Sequence, residues 1–455
     1  MQIRAIPLYF ACFLVIALLA TGCGSSKPSA ISLAREESQK LYSTHGKEIQ
    51  VSFEALYEIK ATSLEEFRAQ PDLITEEKLS AVAFFLYGPL VSRSLGSPLE
   101  GEKFQIFRSQ AQVIDGAVMV PYRYKGTWLV TQKFSKKIQN AFPVPYQEDL
   151  QRTPKWKKCG DSQAEHQHVD WLWYFWDPSR EGCDQAPWVD FQNVKLEIQS
   201  ETAQTEKSYP EYSRMIHQRP GGRVLAMTFA FGYFNEESGK DPFQDKDAGM
   251  VQFRQFHKEL EKILEPEGFE ILPVKASVYG PEDGQRIGSL FRGKQGNVKV
   301  EITVVAAVPE VSHLQIFSTS FAQKKEAFFG WFGHSMVGSG YDLQNFENLL
   351  QAQPQKYSIS QAYQIVYWNG CNSYSFFTKP LFRLKGGSRN LDILSNALPS
   401  FFNLNATQAS ILFKAFWNQQ AKTSYQSLLQ KLEGANHSVV GERSLVNVLG
   451  DEDNP

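Results

Sequence analysis

Apolar strands that alternate with amphipathic helices restrict the fold of the second half of the chain more than any other feature. The segment RVLAMTFAFGYF, from Arg223, is typical of a strand, and DAGMVQFRQFHKELEKIL predicts a helix with Asp247 as its N-cap. FEILPV, VKVEITVVAAV, AFFGWFG and AYQIVYW follow as strands, and SHLQIFSTSFAQ and YDLQNFENLLQA as helices. This alternation is typical of parallel strands covered on both faces. The sequence therefore predicts an α/β class, with a doubly wound and mainly parallel sheet.

The N-terminal stretch MQIRAIPLYFACFLVIALLATGC has the organisation of an export signal. A single charge at Arg4 precedes an apolar run of about sixteen residues and then small residues before Cys23. The run contains a proline and is short for a spanning helix. Small residues directly before a cysteine resemble the lipobox of bacterial lipoproteins, which implies cleavage before Cys23 and a lipid on its sulfur. A plain signal peptide or an uncleaved anchor is the alternative.

The lipoprotein resemblance also implies a location in the bacterial cell envelope. Several acyl chains on one residue would hold the protein stably on a membrane. Gly24 stands where an aspartate would retain a lipoprotein in the inner membrane, so the outer membrane is expected. The expected partners are the membrane, through the lipid, and a peptide or protein that serves as substrate or ligand.

Length and charge divide the remaining chain and exclude one class of partner. The 455 residues are too many for one core, and 47 Lys and Arg nearly balance 49 Asp and Glu, so no nucleic-acid partner is expected. No cofactor is predicted either. The predicted organisation has six parts: signal peptide 1–22, lipidated tether 23–47, α+β domain 48–150, disulfide-bearing aromatic-rich segment 151–215, α/β domain 216–440 and acidic tail 441–455.

The α+β domain shows strand, helix and hairpin patterns. VSFEALYEI indicates a strand, TEEKLSAVAFFLYGPLV a helix, and the alternating stretch from Lys103 to Val130 a small antiparallel meander with turns at Asp115-Gly116 and Lys125-Gly126. Near the other end of the chain, ATQASILFKAFWNQ and SYQSLLQKLEG predict helices that cover one face of the large sheet. His257, inside the helix that Asp247 caps, is interpreted as a surface or packing residue.

The cysteines divide by position. Cys12 lies in the signal and Cys23 takes the lipid, so three remain. In an oxidising compartment Cys159 and Cys183, which enclose a short segment, are expected to form a disulfide. Cys371 is then the cysteine left over.

A weaker metal-binding pattern lies in the aromatic-rich segment. His166, His168 and Asp170 would share one face of a strand, because side chains two residues apart point the same way. No further ligand motif accompanies them, and a pair of surface histidines is the commoner case. The following run from Trp171 to Trp176 favours core packing, with a sugar-binding surface as the alternative.

Two buried strands end on residues with catalytic chemistry. AFFGWFG runs into His334, and AYQIVYW runs into Gly370 and Cys371, with one helix between the strands. Parallel strands joined in this way are usually neighbours and end at the same edge, where open α/β sheets bind ligands. An imidazole there can take the proton of a thiol. Gly333 and Gly370 allow close approach of a substrate backbone, and the amides of Ser335 and Cys371 are placed to donate to an oxyanion.

The segments FFGWFGHS and VYWNGC, within about residues 220 to 400, resemble the caspase-like cysteine peptidases, the group of gingipains, clostripain, legumain and caspases. The resemblance implies an endopeptidase in which Cys371 is the nucleophile and His334 is the general acid for the leaving amine. Ser335 stands where that group has glycine, and no residue of a specificity pocket is identifiable. The alternative is a catalytically inactive lipoprotein of this fold that acts as an envelope binding or structural module.

Overall fold

The apolar strands and amphipathic helices of the sequence form a mixed α/β structure. The computed structural model describes residues 40–59, 61, 63–147, 191–202, 208–235, 241–280, 284–308, 311–335, 343–417, 422–440 and 446–450. Its strands, in chain order, are β1 (Lys40–Ser43), β2 (Gly46–Ile59), β3 (Gly96–Ile106), β4 (Gln112–Ile114), β5 (Ala117–Thr131), β6 (Phe142–Pro145), β7 (Phe191–Val194), β8 (Glu197–Thr202), β9 (His217–Arg219), β10 (Gly222–Phe231), β11 (Glu270–Lys275), β12 (Arg286–Gln295), β13 (Val298–Ala306), β14 (Phe328–Phe332), β15 (Gln364–Asn369), β16 (Leu391–Asn396) and β17 (Val446–Gly450).

The helices fall before, between and after these strands. They are α1 (Leu64–Ala69), α2 (Glu76–Phe84), α3 (Tyr87–Ser92), α4 (Lys136–Asn140), α5 (Tyr212–Met215), α6 (Ala248–Leu264), α7 (His313–Phe317), α8 (Leu343–Ala352), α9 (Ser373–Lys385), α10 (Asn405–Trp417) and α11 (Tyr425–Val440). A π-helical turn, Ser318–Gln323, continues α7. The helix that the sequence places after Asp247 is α6, and Asp247 caps it by accepting from the backbone N–H groups of Gly249 and Met250. None of the helices among the described residues is both long and apolar enough to span a bilayer.

The large sheet has the strand order β1-β17-β16-β15-β14-β10-β13-β12-β11, with β9 beside β10. Its centre is parallel, because β10 pairs in parallel with β13 and β14, β14 with β15, and β15 with β16. Both margins are antiparallel, where β11 pairs with β12, β12 with β13, β16 with β17 and β17 with β1. The sheet is therefore mixed, and the sequence prediction missed β12, whose RIGSLFRGKQ carries glycines and charges that hide the strand pattern.

Helices cover both faces of this sheet. Phe328 packs on Phe416 of α10, with ring centroids 4.9 Å apart, while its neighbour Phe329 points to the other face and packs on Phe317 of α7 at 5.0 Å. On that second face Trp368 of β15 stacks on Phe377 of α9 at 4.4 Å. Because successive side chains of a strand point to opposite faces, fully apolar strands such as β14 fill two hydrophobic layers at once.

A second sheet lies in the N-terminal part of the chain. Its order is β3-β5-β2-β8, with β4 beside β5, and β6 and β7 form a separate antiparallel pair. The N-terminal sheet contacts α9, a helix that covers the large sheet. The hydroxyls of Ser97 and Ser375 lie 2.6 Å apart, and the hydroxyl of Tyr374 donates to the carboxylate of Glu48 at 3.1 Å. Residues that follow Cys371 in the chain are thereby fixed against the N-terminal sheet.

Of the two predicted hairpin turns, one is confirmed and the other is wrong. Asp115 and Gly116 have φ of 51° and 84° and join β4 to β5. Gly126 instead lies inside β5, where a Cβ would be only 2.2 Å from the phenol oxygen of Tyr124. The glycine therefore makes room for that buried ring, whose oxygen accepts from Nε1 of Trp128 at 2.9 Å.

The predicted boundaries differ from the structure at three places. Lys40–Ser43, assigned to the tether, forms β1 and pairs with Val446–Gly450, which was assigned to the acidic tail and forms β17. The apolar residues of VNVLG complete the sheet beside β16, which explains why this segment is not a solvated end. In the segment 151–215, β8 pairs with β2 and so belongs to the N-terminal sheet, while β7 pairs with β6.

Glu433 of α11 gives the fold a pH dependence. Its carboxylate is 4% exposed and lies 3.2 Å from Nε2 of His45, and burial raises the pKa of Glu433 to about 8. The folded state then keeps a proton that the unfolded state releases, so stability falls as pH rises from about 5 to 8. We expect Glu433→Gln to stabilise the protein by about 2 kcal/mol at pH 8 and to change little at pH 5.

Urea unfolding at the two pH values measures this difference. The matched control is Glu267→Gln, on the exposed turn after α6, for which the same stability as wild type is expected at both values. Equal pH dependence of the wild type and Glu433→Gln would contradict the assignment.

Candidate functional site

The carboxyl ends of β14 and β15 place the two predicted site residues at the same edge of the large sheet. The strands are parallel neighbours, and Phe332 at the end of β14 is in register with Asn369 at the end of β15. The predicted adjacency of the two strands is thus confirmed. His334 and Cys371 each follow two residues after these paired positions, so both emerge at the same edge of the sheet.

The two loops touch through Gly370 and Ser335. A Cβ on Gly370 would lie 2.9 Å from the Cβ of Ser335 and 3.2 Å from its backbone nitrogen. The serine that replaces the expected glycine after His334 is therefore accommodated by a glycine on the neighbouring loop. On the other side, a Cβ on Gly333 would lie 2.5 Å from the indole of Trp331, whose Nε1 donates to the carbonyl oxygen of His334 at 2.9 Å.

The imidazole of His334 is held by the end of β10. Its Nε2 lies 2.9 Å from the carbonyl oxygen of Phe234, so a neutral His334 carries its proton on Nε2 and keeps the lone pair on Nδ1. The ring of Phe402 lies 4.8 Å from the imidazole and that of Phe234 lies 6.0 Å from it, centroid to centroid. His334 is therefore oriented by one hydrogen bond and two aromatic rings, with Nδ1 as the nitrogen that can accept a proton.

Cys371 lies in the turn between β15 and α9 and is partly buried. The next residue, Asn372, has a φ of 52°, a left-handed conformation that asparagine tolerates better than most residues and that allows the sharp turn into the helix. The thiol lies 4.0 Å from the hydroxyl of Ser400. Burial raises the pKa of the Cys371 thiol, and the hydrogen bonds from Ser400 offset this only in part. The thiol is therefore neutral at neutral pH.

The loop after β16 contacts both site residues. Ser400 touches Cys371, and Phe402, two residues later, touches His334. Within the described residues no hydrogen bond joins the imidazole to the thiol; each has its own partner. His334 and Cys371 therefore contact the same loop and are not joined to each other in this structure.

Among the described residues of the two meeting loops, two buried oxygens lack a hydrogen-bond partner. They are Oγ of Ser335 and Oδ1 of Asn372, in residues that are each 3% exposed. Each belongs to the residue directly after a predicted site residue. Unpaired buried polar atoms are uncommon in folded proteins, because each costs the free energy of its lost hydration.

A network of buried side-chain amides lies behind Cys371, and the sequence reasoning missed it. Asn369 accepts from Asn396 at 2.6 Å and donates to Asn405 of α10 at 2.8 Å, while Tyr367 lies within 3.2 Å of both Asn369 and Gln408. The backbone carbonyl of Asn369 also accepts from Ser400 at 3.4 Å. The network thus ties the end of β15 to the loop that carries Ser400. Its members are scattered over three elements, so no local spacing signals it.

His257 forms a second polar cluster, in the interior. Its Nε2 lies 2.7 Å from the hydroxyl of Ser289, its Nδ1 lies 3.4 Å from Glu261, and Arg286 donates to the same hydroxyl at 2.7 Å. A serine hydroxyl, an imidazole and a carboxylate in contact one after another also make up the catalytic triad of serine hydrolases. Ser289 is 0% exposed, however, so no substrate reaches its hydroxyl in this structure. The cluster joins α6 to β12, which agrees with the interpretation of His257 as a packing residue.

Several predicted site residues lie outside the described residues. They are the lipidation residue Cys23, the disulfide pair Cys159 and Cys183, and the weak metal candidates His166, His168 and Asp170. In the part of the chain that is described, no cluster of three or more His, Cys, Asp or Glu side chains is arranged to hold a metal ion.

The raised pKa of Cys371 predicts the pH profile of its alkylation. Because only the thiolate reacts, the rate of modification by iodoacetamide should reach half its maximum at a higher pH than for an ordinary exposed cysteine. Ser400→Ala should move this midpoint higher still, since the hydrogen bonds from Ser400 favour the thiolate. Peptide mass mapping across pH 6 to 11 measures both midpoints. A midpoint below that of free cysteine would contradict the raised pKa of the buried Cys371 thiol.

The residues of this site come from separate parts of the chain. Its residues follow the ends of β10, β14, β15 and β16, and the loop after β16 contacts both His334 and Cys371. The parallel centre of the sheet places them together although they are far apart in the chain. Comparison of the chain with known protein families, with curated proteins and with solved structures finds no match.

Proposed function

We propose that this chain is an envelope-anchored lipoprotein with a caspase-like α/β domain that acts as a cysteine endopeptidase. Cys371 is the nucleophile and His334 carries the proton. The observation that supports this most directly is the position of both residues at the carboxyl ends of adjacent parallel strands, with their loops in contact at Gly370 and Ser335. The parallel strands β13, β10, β14, β15 and β16, covered by helices on both faces, agree with a caspase-like arrangement.

The reaction follows from the chemistry of these groups. The Cys371 thiol gives its proton to Nδ1 of His334, and the sulfur attacks the peptide carbonyl carbon. The backbone N–H groups of Ser335 and Cys371 donate to the oxyanion of the tetrahedral intermediate. His334 returns the proton to the leaving amine, which breaks the C–N bond and leaves a thioester on Cys371. Water then hydrolyses the thioester, so the thiol is restored and the acid product leaves.

A resting thiol suits the proposed compartment. Oxidation of cysteine proceeds from the thiolate, and an envelope protein is exposed to oxidants. Burial keeps the Cys371 thiol protonated and partly covered, which protects it when no substrate is bound. For the proton transfer to occur, the imidazole of His334 and the thiol of Cys371 must move toward each other past Ser400 and Phe402.

A catalytically inactive binding module is the second candidate. The observation that favours it is that His334 is hydrogen-bonded to Phe234 and Cys371 to Ser400, and that in the described part of the chain no hydrogen bond joins His334 to Cys371.

The anchor belongs to the same proposal. Lipidation of Cys23 and a disulfide between Cys159 and Cys183 both fit an oxidising envelope compartment, with the outer membrane as the location. Radiolabelled palmitate should be incorporated into the wild type and not into Cys23→Ala. Labelling of both proteins would exclude Cys23 as the acceptor.

Cleavage of a peptide library tests the proposed activity. The full chain and its Cys371→Ala variant are incubated with the library under reducing conditions, and new termini are identified by mass spectrometry. New termini that appear with the wild type and not with the variant are expected. The same termini from both proteins would assign the activity to another nucleophile, and no termini from the wild type would favour the binding module.

A further inference from the structure

An exposed aromatic pair stands beside His334. Phe234 is 47% exposed, and its ring packs edge-on against Phe402 with centroids 5.2 Å apart. Phe402 is partly buried and also contacts the imidazole of His334 at 4.8 Å. The three rings form a continuous surface at the edge of the sheet where the catalytic site is proposed, which we call the aromatic shelf (Phe234, His334 and Phe402).

The backbone holds Phe234 firmly in its exposed position. Its N–H donates to Oδ1 of Asp247 at 2.9 Å, and its carbonyl oxygen accepts from His334 at 2.9 Å. The following N–H, of Asn235, donates to Oδ2 of Asp247 at 2.8 Å. Exposure of a large ring leaves apolar area in water, and here the backbone that carries the ring is fixed on both sides by hydrogen bonds. An exposed ring on a fixed backbone next to His334 is suited to contact a bound molecule.

The chemistry of the shelf selects one kind of occupant. Among the described residues, the ring contacts of Phe234 and Phe402 are with each other and with His334. The carboxylate of Asp247 points at backbone N–H groups, including that of Gly249. A flat apolar side chain gains most from such a surface, because it buries area and stacks on the rings at once.

We infer that the aromatic shelf is a subsite for an aromatic side chain of a peptide, bound next to the bond that is cleaved. This inference rests on the proposed peptidase function and names its substrate class. Phe234 and Phe402 are specificity residues in this account, and His334 has both a ring contact and the proton-transfer role.

Binding to the inactive full chain tests the subsite without cleavage. Calorimetry with Cys371→Ala compares the capped tripeptides acetyl-Ala-Ala-Phe-amide, acetyl-Ala-Ala-Lys-amide and acetyl-Ala-Ala-Ala-amide. The Phe peptide should bind about tenfold tighter than the Ala peptide, from stacking and apolar burial. Adding Phe234→Ala or Phe402→Ala should remove this preference. The control is Val278→Ala, an equally exposed apolar residue after β11, three strands away from β10 in the sheet.

The outcomes separate this inference from the proposed activity. Tighter binding of the Lys peptide, or equal binding of all three, would overturn the aromatic subsite even if the wild type cleaves peptides. A preference for Phe that depends on Phe234, together with no cleavage by the wild type, would keep the subsite and refute the peptidase. With an active enzyme, Phe234→Ala should remove the roughly tenfold preference in kcat/KM for Phe substrates over Ala substrates.

Discussion

Replacing His334 with glutamine should reduce kcat/KM for peptide cleavage by about 10²- to 10⁴-fold, the usual contribution of a positioned acid or base. The Nε2 of His334 donates to the carbonyl oxygen of Phe234, and a glutamine amide can make the same hydrogen bond. Glutamine cannot carry a proton between thiol and leaving amine. The variant therefore retains the local structure and loses only the proposed chemistry.

The comparison with alanine and with a distant histidine sharpens this prediction. His334→Ala should lose activity to the same degree and should also lose about 1 kcal/mol of stability with the hydrogen bond to Phe234. His45→Ala, at a side chain 65% exposed, should keep wild-type kcat/KM. Steady-state kinetics on one cleaved peptide measures all three. Retained activity in His334→Gln would show that the imidazole only orients the loop.

Replacing Gly249 with alanine should destabilise the fold by about 3 kcal/mol, because overpacking against backbone leaves no side chain to move aside. A Cβ at this position would lie 2.0 Å from the carbonyl oxygen of Gly232. Gly232 is itself fixed, since its N–H donates to the carbonyl oxygen of Phe332 at 3.0 Å. The first turn of α6 therefore packs directly on the end of β10.

A second glycine in a helix provides the opposite expectation. Gly434 lies in α11 on the solvent side, and a Cβ there would meet no atom within 4 Å. Gly434→Ala should stabilise the protein by about 0.5 to 1 kcal/mol, because alanine loses less backbone entropy in a helix. Urea unfolding of both variants measures the contrast. A midpoint for Gly249→Ala equal to that of the wild type would contradict the close contact between Gly249 and Gly232.

Most of the parallel centre of the fold could be predicted from the sequence because its strands are apolar on both faces. The continuous apolar runs predict β10, β13, β14 and β15, and amphipathic spacing predicts the helices between them. The sequence does not predict β12, which charges and glycines interrupt, β16, whose LDILSN mixes polar and apolar residues, or β17, which follows a polar stretch. These strands form through pairing with neighbours that are distant in sequence, which local patterns do not report.

The candidate site could be predicted only in part for the same reason. His334 and Cys371 stand out because a reactive side chain directly follows a buried strand. Ser400, Phe402 and Phe234 carry no such signal, since they reach the site through the loops after β16 and β10. The raised pKa of the thiol depends on burial, which is a property of the folded chain.

Labelling with a peptide electrophile tests the central claim most directly. A capped Phe-containing peptidyl acyloxymethyl ketone loses its carboxylate when a thiolate attacks, which leaves a stable thioether that mass spectrometry can locate. The account predicts one adduct on the full chain, at Cys371, and a rate at least about tenfold lower in His334→Gln. No adduct at Cys371, or an adduct that forms equally fast in His334→Gln, would contradict a catalytic pair.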